Sequence, residues 1–131
     1  MTDMLSNYNA DPPKLLIVDD DPASTFLTEE ILLDHLGDIS IITFNSAPDC
    51  LDFLSREKGE MIIFLDINMP GMNGWEFLRR FKEIGYEHKV VMLTSSINDD
   101  DVHKASDEQV EFMNKPLDPS LMGNIGKAKT V

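Results

Sequence analysis

One cysteine, Cys50, stands alone in 131 residues, which leaves no internal disulfide and fits a reducing cytoplasm. No apolar run approaches the ~20 residues that cross a bilayer. Met1 to Pro13 is polar and carries neither the basic flank nor the apolar core of a secretion signal. Membrane insertion is therefore not expected. Basic residues are scarce: 11 Lys and Arg face 24 Asp and Glu, for a net charge of -13. A surface this acidic repels DNA, RNA and anionic lipid over most of its area, so no direct nucleic-acid partner is expected. Internal repeats and low-complexity tracts are also absent.

What remains is a chain of one-domain length with 42% hydrophobic residues, enough for a three-layer core. Residues 1–13 read as a loose leader with a turn at Asp11-Pro12-Pro13, and a single domain runs from 14 to 131. Short β-rich runs fall at Leu15–Val18, Ile39–Phe44, Met61–Leu65, Lys89–Leu93 and Val110–Met113. Helical stretches lie between them at Pro22–Leu36, Ala47–Lys58, Gly74–Ile84 and Asn98–Asp107, with a last one near Asp118–Lys129. Strand followed by helix, repeated along the chain, predicts a parallel sheet covered by helices on both faces. The first, third and fourth runs are almost wholly apolar, as such strands should be.

Helix boundaries have local causes. Asp21 before Pro22 predicts an N-cap and a first helical residue. Asn98 before Asp99-Asp100-Asp101 predicts a cap followed by acidic residues that complement the helix dipole. Gly37 and Gly85 close the first and third helices. Gly123 and Gly126 each cost the last helix about 1 kcal/mol against alanine, so it is predicted to be weak.

The chemistry-bearing residues lie at strand ends. Leu15-Leu16-Ile17-Val18 runs into Asp19-Asp20, and Met61-Ile62-Ile63-Phe64-Leu65 stops at Asp66. Val90-Val91-Met92-Leu93 runs into Thr94-Ser95, and Val110-Glu111-Phe112-Met113-Asn114 runs into Lys115-Pro116, an X-Pro bond that tolerates the cis form. Open α/β sheets bind ligands beyond the carboxyl ends of their strands. If these strands are neighbours, three carboxylates, a hydroxyl and an ammonium meet at one edge. Oxygen donors without His or Cys select Mg²⁺, or Mn²⁺, over zinc. An aspartate oxygen can attack phosphorus, and metal, Lys115 and Thr94 can stabilise the charge on a transferred phosphoryl group. Taken singly, each residue has a plainer reading: a strand-end Asp as a helix cap, Thr94 as a turn cap, Lys115-Pro116 as a stiff turn. Their joint occurrence at four strand ends favours the site.

The same residues resemble a known family. Asp19-Asp20, the segment Phe64-Leu65-Asp66-Ile67-Asn68-Met69-Pro70-Gly71-Met72-Asn73-Gly74, Thr94-Ser95 and Lys115-Pro116 look like the receiver domains of two-component response regulators, from Lys14 to the chain end. The resemblance implies a flavodoxin-like, doubly wound (βα)5 sandwich with strand order 2-1-3-4-5. It makes Asp66 the phosphoacceptor and Asp19, Asp20, Asp66 and the backbone carbonyl of Asn68 the Mg²⁺ ligands, with Asp19 acting largely through water. Lys115 would pair with the phosphoryl group, Thr94 would move to donate its hydroxyl to it, and Ser95 would offer a backbone N–H. Phe112 matches the aromatic whose rotamer follows the switch, but lacks the hydroxyl of a tyrosine. Gly74 matches a glycine opening the third helix. Trp75 reads as a half-buried packing residue outside the site.

The implied function is a phosphoacceptor switch rather than an enzyme, with at most slow autophosphorylation and autodephosphorylation. It would be loaded by a sensor histidine kinase or histidine phosphotransferase and read by a downstream protein. No output domain is apparent after Lys129, so the sequence reads as a stand-alone receiver. The rival enzyme reading, a haloacid-dehalogenase-like phosphatase, places its nucleophile on the first strand and a second Asp two residues later; here Asp19-Asp20 comes first and Asn68 holds that later place. An interaction module without phosphate chemistry would lack the acceptor, the acidic pair, Thr94 or Lys115, and all are present. A flavodoxin-type cofactor binder would need a Ser/Thr/Gly-rich phosphate loop after the first strand, and none follows it.

Overall fold

Met61–Asp66 is buried at every position and Val90–Thr94 likewise, so these segments are central strands covered on both faces. The structure, a computed structural model, describes residues 12–121. Within them, β1 (Lys14–Val18), β2 (Ile41–Phe44), β3 (Met61–Asp66), β4 (Lys89–Thr94) and β5 (Glu111–Asn114) form one parallel sheet in the order β2-β1-β3-β4-β5. Helices α1 (Pro22–Leu36), α2 (Ala47–Arg56), α3 (Gly74–Ile84) and α4 (Asp99–Glu108) connect the strands, and a 3₁₀ turn spans Pro119–Leu121. The chain moves outward from β1 to β2 and then returns past β1 to β3. The strand order therefore reverses between β1 and β3, which opens a crevice at their carboxyl ends.

Alternating strand residues feed two cores. Leu16, Val18, Ile63, Leu65 and Met92 pack with Ala47, Cys50 and Leu54 of α2 and Phe77, Leu78 and Phe81 of α3. Leu15, Ile17, Ile62, Phe64, Val91 and Leu93 pack on the other face with Leu32 of α1, Met113 and Leu117. Cys50 is fully buried, and that burial pushes its thiol up to about 12.

The predicted caps are present. Asp21 accepts the Ala23 N–H at 3.0 Å ahead of Pro22, and Asn98 accepts the Asp101 N–H at 2.8 Å. Asn73 and Glu76 close a reciprocal capping box at α3, each bond 2.9 Å. Gly85 ends α3 in the left-handed region with φ 101°, while α4 ends on Gln109 in the same region with φ 58°.

Boundaries differ where side-chain packing overrides local preference. Ile39 packs into the α1-side core from a loop, so β2 starts at Ile41. Glu57 still donates its N–H to the Phe53 carbonyl, but its own backbone turns extended (ψ 148°) and ends α2 at Arg56, two residues before the expected end. Of the expected final helix, the described part is the Pro119–Leu121 turn; Asp118 accepts the Ser120 N–H and hydroxyl at 2.9 and 2.8 Å. The rest of that expected helix lies outside the described residues, as does the expected leader through Asp11.

Candidate functional site

Strand register brings the polar residues level. Val18 lies beside Leu65, Asp66 beside Leu93, and Thr94 beside Asn114. The residues that end or follow these strands therefore share one rim. Asp19 and Asp66 are buried in it, Asp20 is exposed, and Thr94 is fully buried.

Asp19 is held from two sides. One carboxylate oxygen accepts the Asp21 N–H at 2.9 Å and the other accepts Lys115 Nζ at 2.8 Å. Lys115 stands 3.5 Å from Asp66 Oδ1, so one ammonium serves two carboxylates. Its backbone is fixed by its N–H donating to the Thr94 carbonyl at 2.7 Å, and the Lys115–Pro116 bond is cis. The Asn68 N–H reaches back to Asp66 Oδ1 at 3.4 Å, a long and weak bond. Burial pushes the Asp66 carboxyl up to about 6; Lys115 opposes this, Asp19 adds to it, and the Asn68 N–H draws it down.

Asp19, Asp20 and Asp66 each present an oxygen within 4.8 Å of the other two. Three hard oxygen donors on one rim, with no His or Cys among them, fit a divalent cation of the Mg²⁺ type. Thr94 is turned to its own loop: its hydroxyl donates to the Ser96 carbonyl at 3.0 Å and accepts the Ser96 N–H at 3.2 Å. Ser95 is exposed beside it. Phe112 is half-buried in β5, next to Met92, against the α2–α3 core.

Gly74 has a steric role that spacing alone did not show. A Cβ there would lie 2.8 Å from the Asp66 carbonyl and 2.8 Å from Ile67 Cα. Its N–H donates to the Ile67 carbonyl at 2.8 Å, so the start of α3 sits directly on the end of β3. Trp75 does more than pack, because its indole Nε1 donates to Asp101 at 3.0 Å. Asp101 is correspondingly buried, although in the sequence it is one of three like residues that complement the helix dipole.

The profile of the response regulator receiver domain family matches residues 15–125. The chain belongs to that family. Among solved structures, a two-component response regulator from Cytophaga hutchinsonii is 28% identical to this receiver domain, with a TM-score of 0.78 over 88% of this chain and 95% of that one. Among characterised relatives, the cyclic di-GMP phosphodiesterase response regulator RpfG of Xanthomonas campestris is 25% identical across 80% of this chain and 28% of its own length. The nitrate/nitrite response regulator NarL of Escherichia coli is 28% identical across 85% of this chain and 51% of its own. The chain thus spans about half or less of these two relatives. The receiver fold, its strand order and its family membership agree with the reading of the sequence. Among the described residues, no helix is long and apolar enough to cross a membrane.

Proposed function

We propose that this receiver domain takes a phosphoryl group onto Asp66 from the phosphohistidine of a kinase or phosphotransferase. The observation that carries the reading is the placement of Asp66: buried at the end of a central strand, 3.5 Å from Lys115, with Asp19 and Asp20 within 4.8 Å. An Asp66 carboxylate oxygen attacks phosphorus, the phosphorus–nitrogen bond breaks, and its electron pair leaves with the imidazole. A group titrating near 6 is mostly ionised at neutral pH, so the nucleophile is available. Asp19, Asp20, Asp66 and the Asn68 carbonyl would hold Mg²⁺, which when bound shields the carboxylates and the phosphoryl oxygens from one another. Lys115 neutralises an equatorial phosphoryl oxygen. Thr94 leaves Ser96 and donates its hydroxyl to another, with the Ser95 N–H beside it, and Phe112 follows into the vacated space.

Access favours a protein donor. Phe26 is 64% exposed and lines a cleft with Asp19 and Asp20, while Leu27 is 49% exposed and lines a second with Lys115 and Pro116. An apolar pair on α1 thus lines two clefts, one beside the acidic pair and one beside Lys115, which suits docking of a partner helix. A dehalogenase-like phosphatase would need an acid two residues after its nucleophile, and Asn68 stands there.

The test is intact-mass analysis after acetyl phosphate and Mg²⁺. Wild type gains one phosphoryl group and Asp66→Asn gains none. Label on Asp66→Asn, mapped to another residue, overturns the assignment, and multiple turnover of a phosphoester would favour the phosphatase.

A further inference from the structure

The first turn of α4 is tied to α3 by a contact that phosphoryl chemistry does not require. In α3, the third residue, Glu76, reaches back to its own cap at 2.9 Å. In α4 the equivalent residue, Asp101, gives its N–H to the Asn98 cap but sends its carboxylate across to Trp75 Nε1 at 3.0 Å. Lys104, one turn on, places its ammonium 5.7 Å from the centre of the same indole. Asp101 is 9% exposed, so this charge-assisted bond is sheltered from water.

Trp75 is a fixed post. It follows Gly74, whose backbone is pressed on the Asp66 carbonyl and Ile67 with no room for a Cβ. The approach to α4 is held separately by Thr94, whose hydroxyl grips both polar backbone atoms of Ser96. Two arms therefore run from the rim around Asp66 to the start of α4, one through β4 and one through α3. The far end of α4 is tied as well: Lys82 donates to the Glu108 carbonyl and carboxylate, both at 2.8 Å, but this contact is solvent-exposed.

We propose that the Trp75–Asp101 bond is the latch that holds α4 in its unswitched position and sets how readily the receiver domain switches. The inference rests on the phosphoacceptor reading of Asp66. When Thr94 leaves Ser96, the β4 arm is released, and among the described residues the Trp75–Asp101 hydrogen bond, with Lys104 over the same indole, still ties the start of α4 to α3. The helix then swings away at this end and pivots about Lys82–Glu108. A contact made in only one of two states biases the equilibrium by its full free energy. Removing the bond therefore makes the switched state easier to reach. Trp75 and Asp101 are positioning residues, since neither touches the reacting atoms.

The test measures beryllofluoride binding in Mg²⁺ by fluorine NMR or calorimetry, with hydrogen exchange of the amides of 101–104 in the unliganded protein. Trp75→Phe keeps an aromatic ring and loses the donor. It should tighten apparent beryllofluoride affinity about five- to tenfold and speed exchange at the start of α4. Asp101→Ala should do the same by removing the acceptor, and it carries the test if Trp75→Phe fails to fold. Asp101→Asn keeps an accepting oxygen but loses the charge, so its affinity should fall between wild type and Asp101→Ala; Lys82→Met, which frees only the exposed end, should stay close to wild type. Unchanged or weaker affinity in both Trp75→Phe and Asp101→Ala, with wild type binding normally, overturns the latch alone. An equal gain in Lys82→Met also overturns it, because any loosening of α4 would then suffice. A wild type that binds no beryllofluoride overturns the phosphoacceptor reading and the latch with it.

Discussion

Lys115 Nζ stands 2.8 Å from Asp19 but 3.5 Å from Asp66, so in this state the ammonium belongs first to the carboxylate that is not the proposed acceptor. It acts as an internal counter-ion for the acidic rim. A divalent cation that binds there competes with it. Lys115→Met should therefore bind Mg²⁺ more tightly, about three- to tenfold, while its phosphorylation by acetyl phosphate falls sharply. A Mg²⁺ titration followed by Trp75 fluorescence reads the first effect, and weaker binding in the variant would contradict the competition.

The raised carboxyl of Asp66 predicts a pH-dependent stability. Its value is about 6 in the folded protein against an ordinary 3.8, so the folded state favours the protonated form. That contribution is fully present below 3.8 and is lost as pH rises through 6. Without metal at neutral pH, Asp66→Asn should exceed wild type in stability by on the order of 1–2 kcal/mol, after screening at the rim is allowed for. The advantage should shrink on acidification towards the ordinary carboxylate range. Adding Mg²⁺ should stabilise wild type more than the variant. Urea unfolding in chelator at two pH values decides it; a variant less stable than wild type at neutral pH would refute the argument.

Gly74→Ala forces a methyl group into space already held by the Asp66 carbonyl and Ile67 Cα, each at 2.8 Å. Backbone must move to relieve the clash. The expected cost is about 1–3 kcal/mol, with slower labelling of Asp66 because the displaced loop carries Asn68. Thermal unfolding and acetyl phosphate kinetics together test this.

Phe26 and Leu27 should matter to the donor and not to the chemistry. Serine at both positions should cut phosphotransfer from a cognate phosphohistidine protein by at least about tenfold, as for loss of apolar anchors at an interface. Labelling by acetyl phosphate, which needs no docking surface, should stay within about twofold, and stability should change little at such exposed positions. Equal losses with both donors would place these residues in the folding or chemistry of the rim instead.

The sheet and the rim were legible because they depend on short stretches of chain. Each central strand carries its own apolar run, and each polar strand end follows directly from one. Pro22 after Asp21 and Gly85 after Ile84 marked helix limits locally, and α1 and α3 fell on their predicted bounds. What the sequence concealed depends on distance. Asp101 lies 26 residues from Trp75 and sits inside a run of three aspartates, so nothing local distinguishes the one that turns inward. Lys115 lies 96 residues from Asp19, and which carboxylate it prefers is set by how β5 stands relative to β1. The end of α4 was also hidden, because Gln109 accepts a left-handed conformation that composition would assign to glycine or asparagine.

Cys50 has a practical consequence for all of these measurements. The sequence has one thiol, and it is sealed in the α2 core and protonated at working pH. Thiol reagents act on the thiolate, so the folded molecule should be nearly inert to them and become reactive only on opening. A cysteine engineered into the exposed side of α4 could then carry a spin label or fluorophore without first deleting the native one. The rate at which Cys50 itself reacts would time the opening of the α2 side of the sheet.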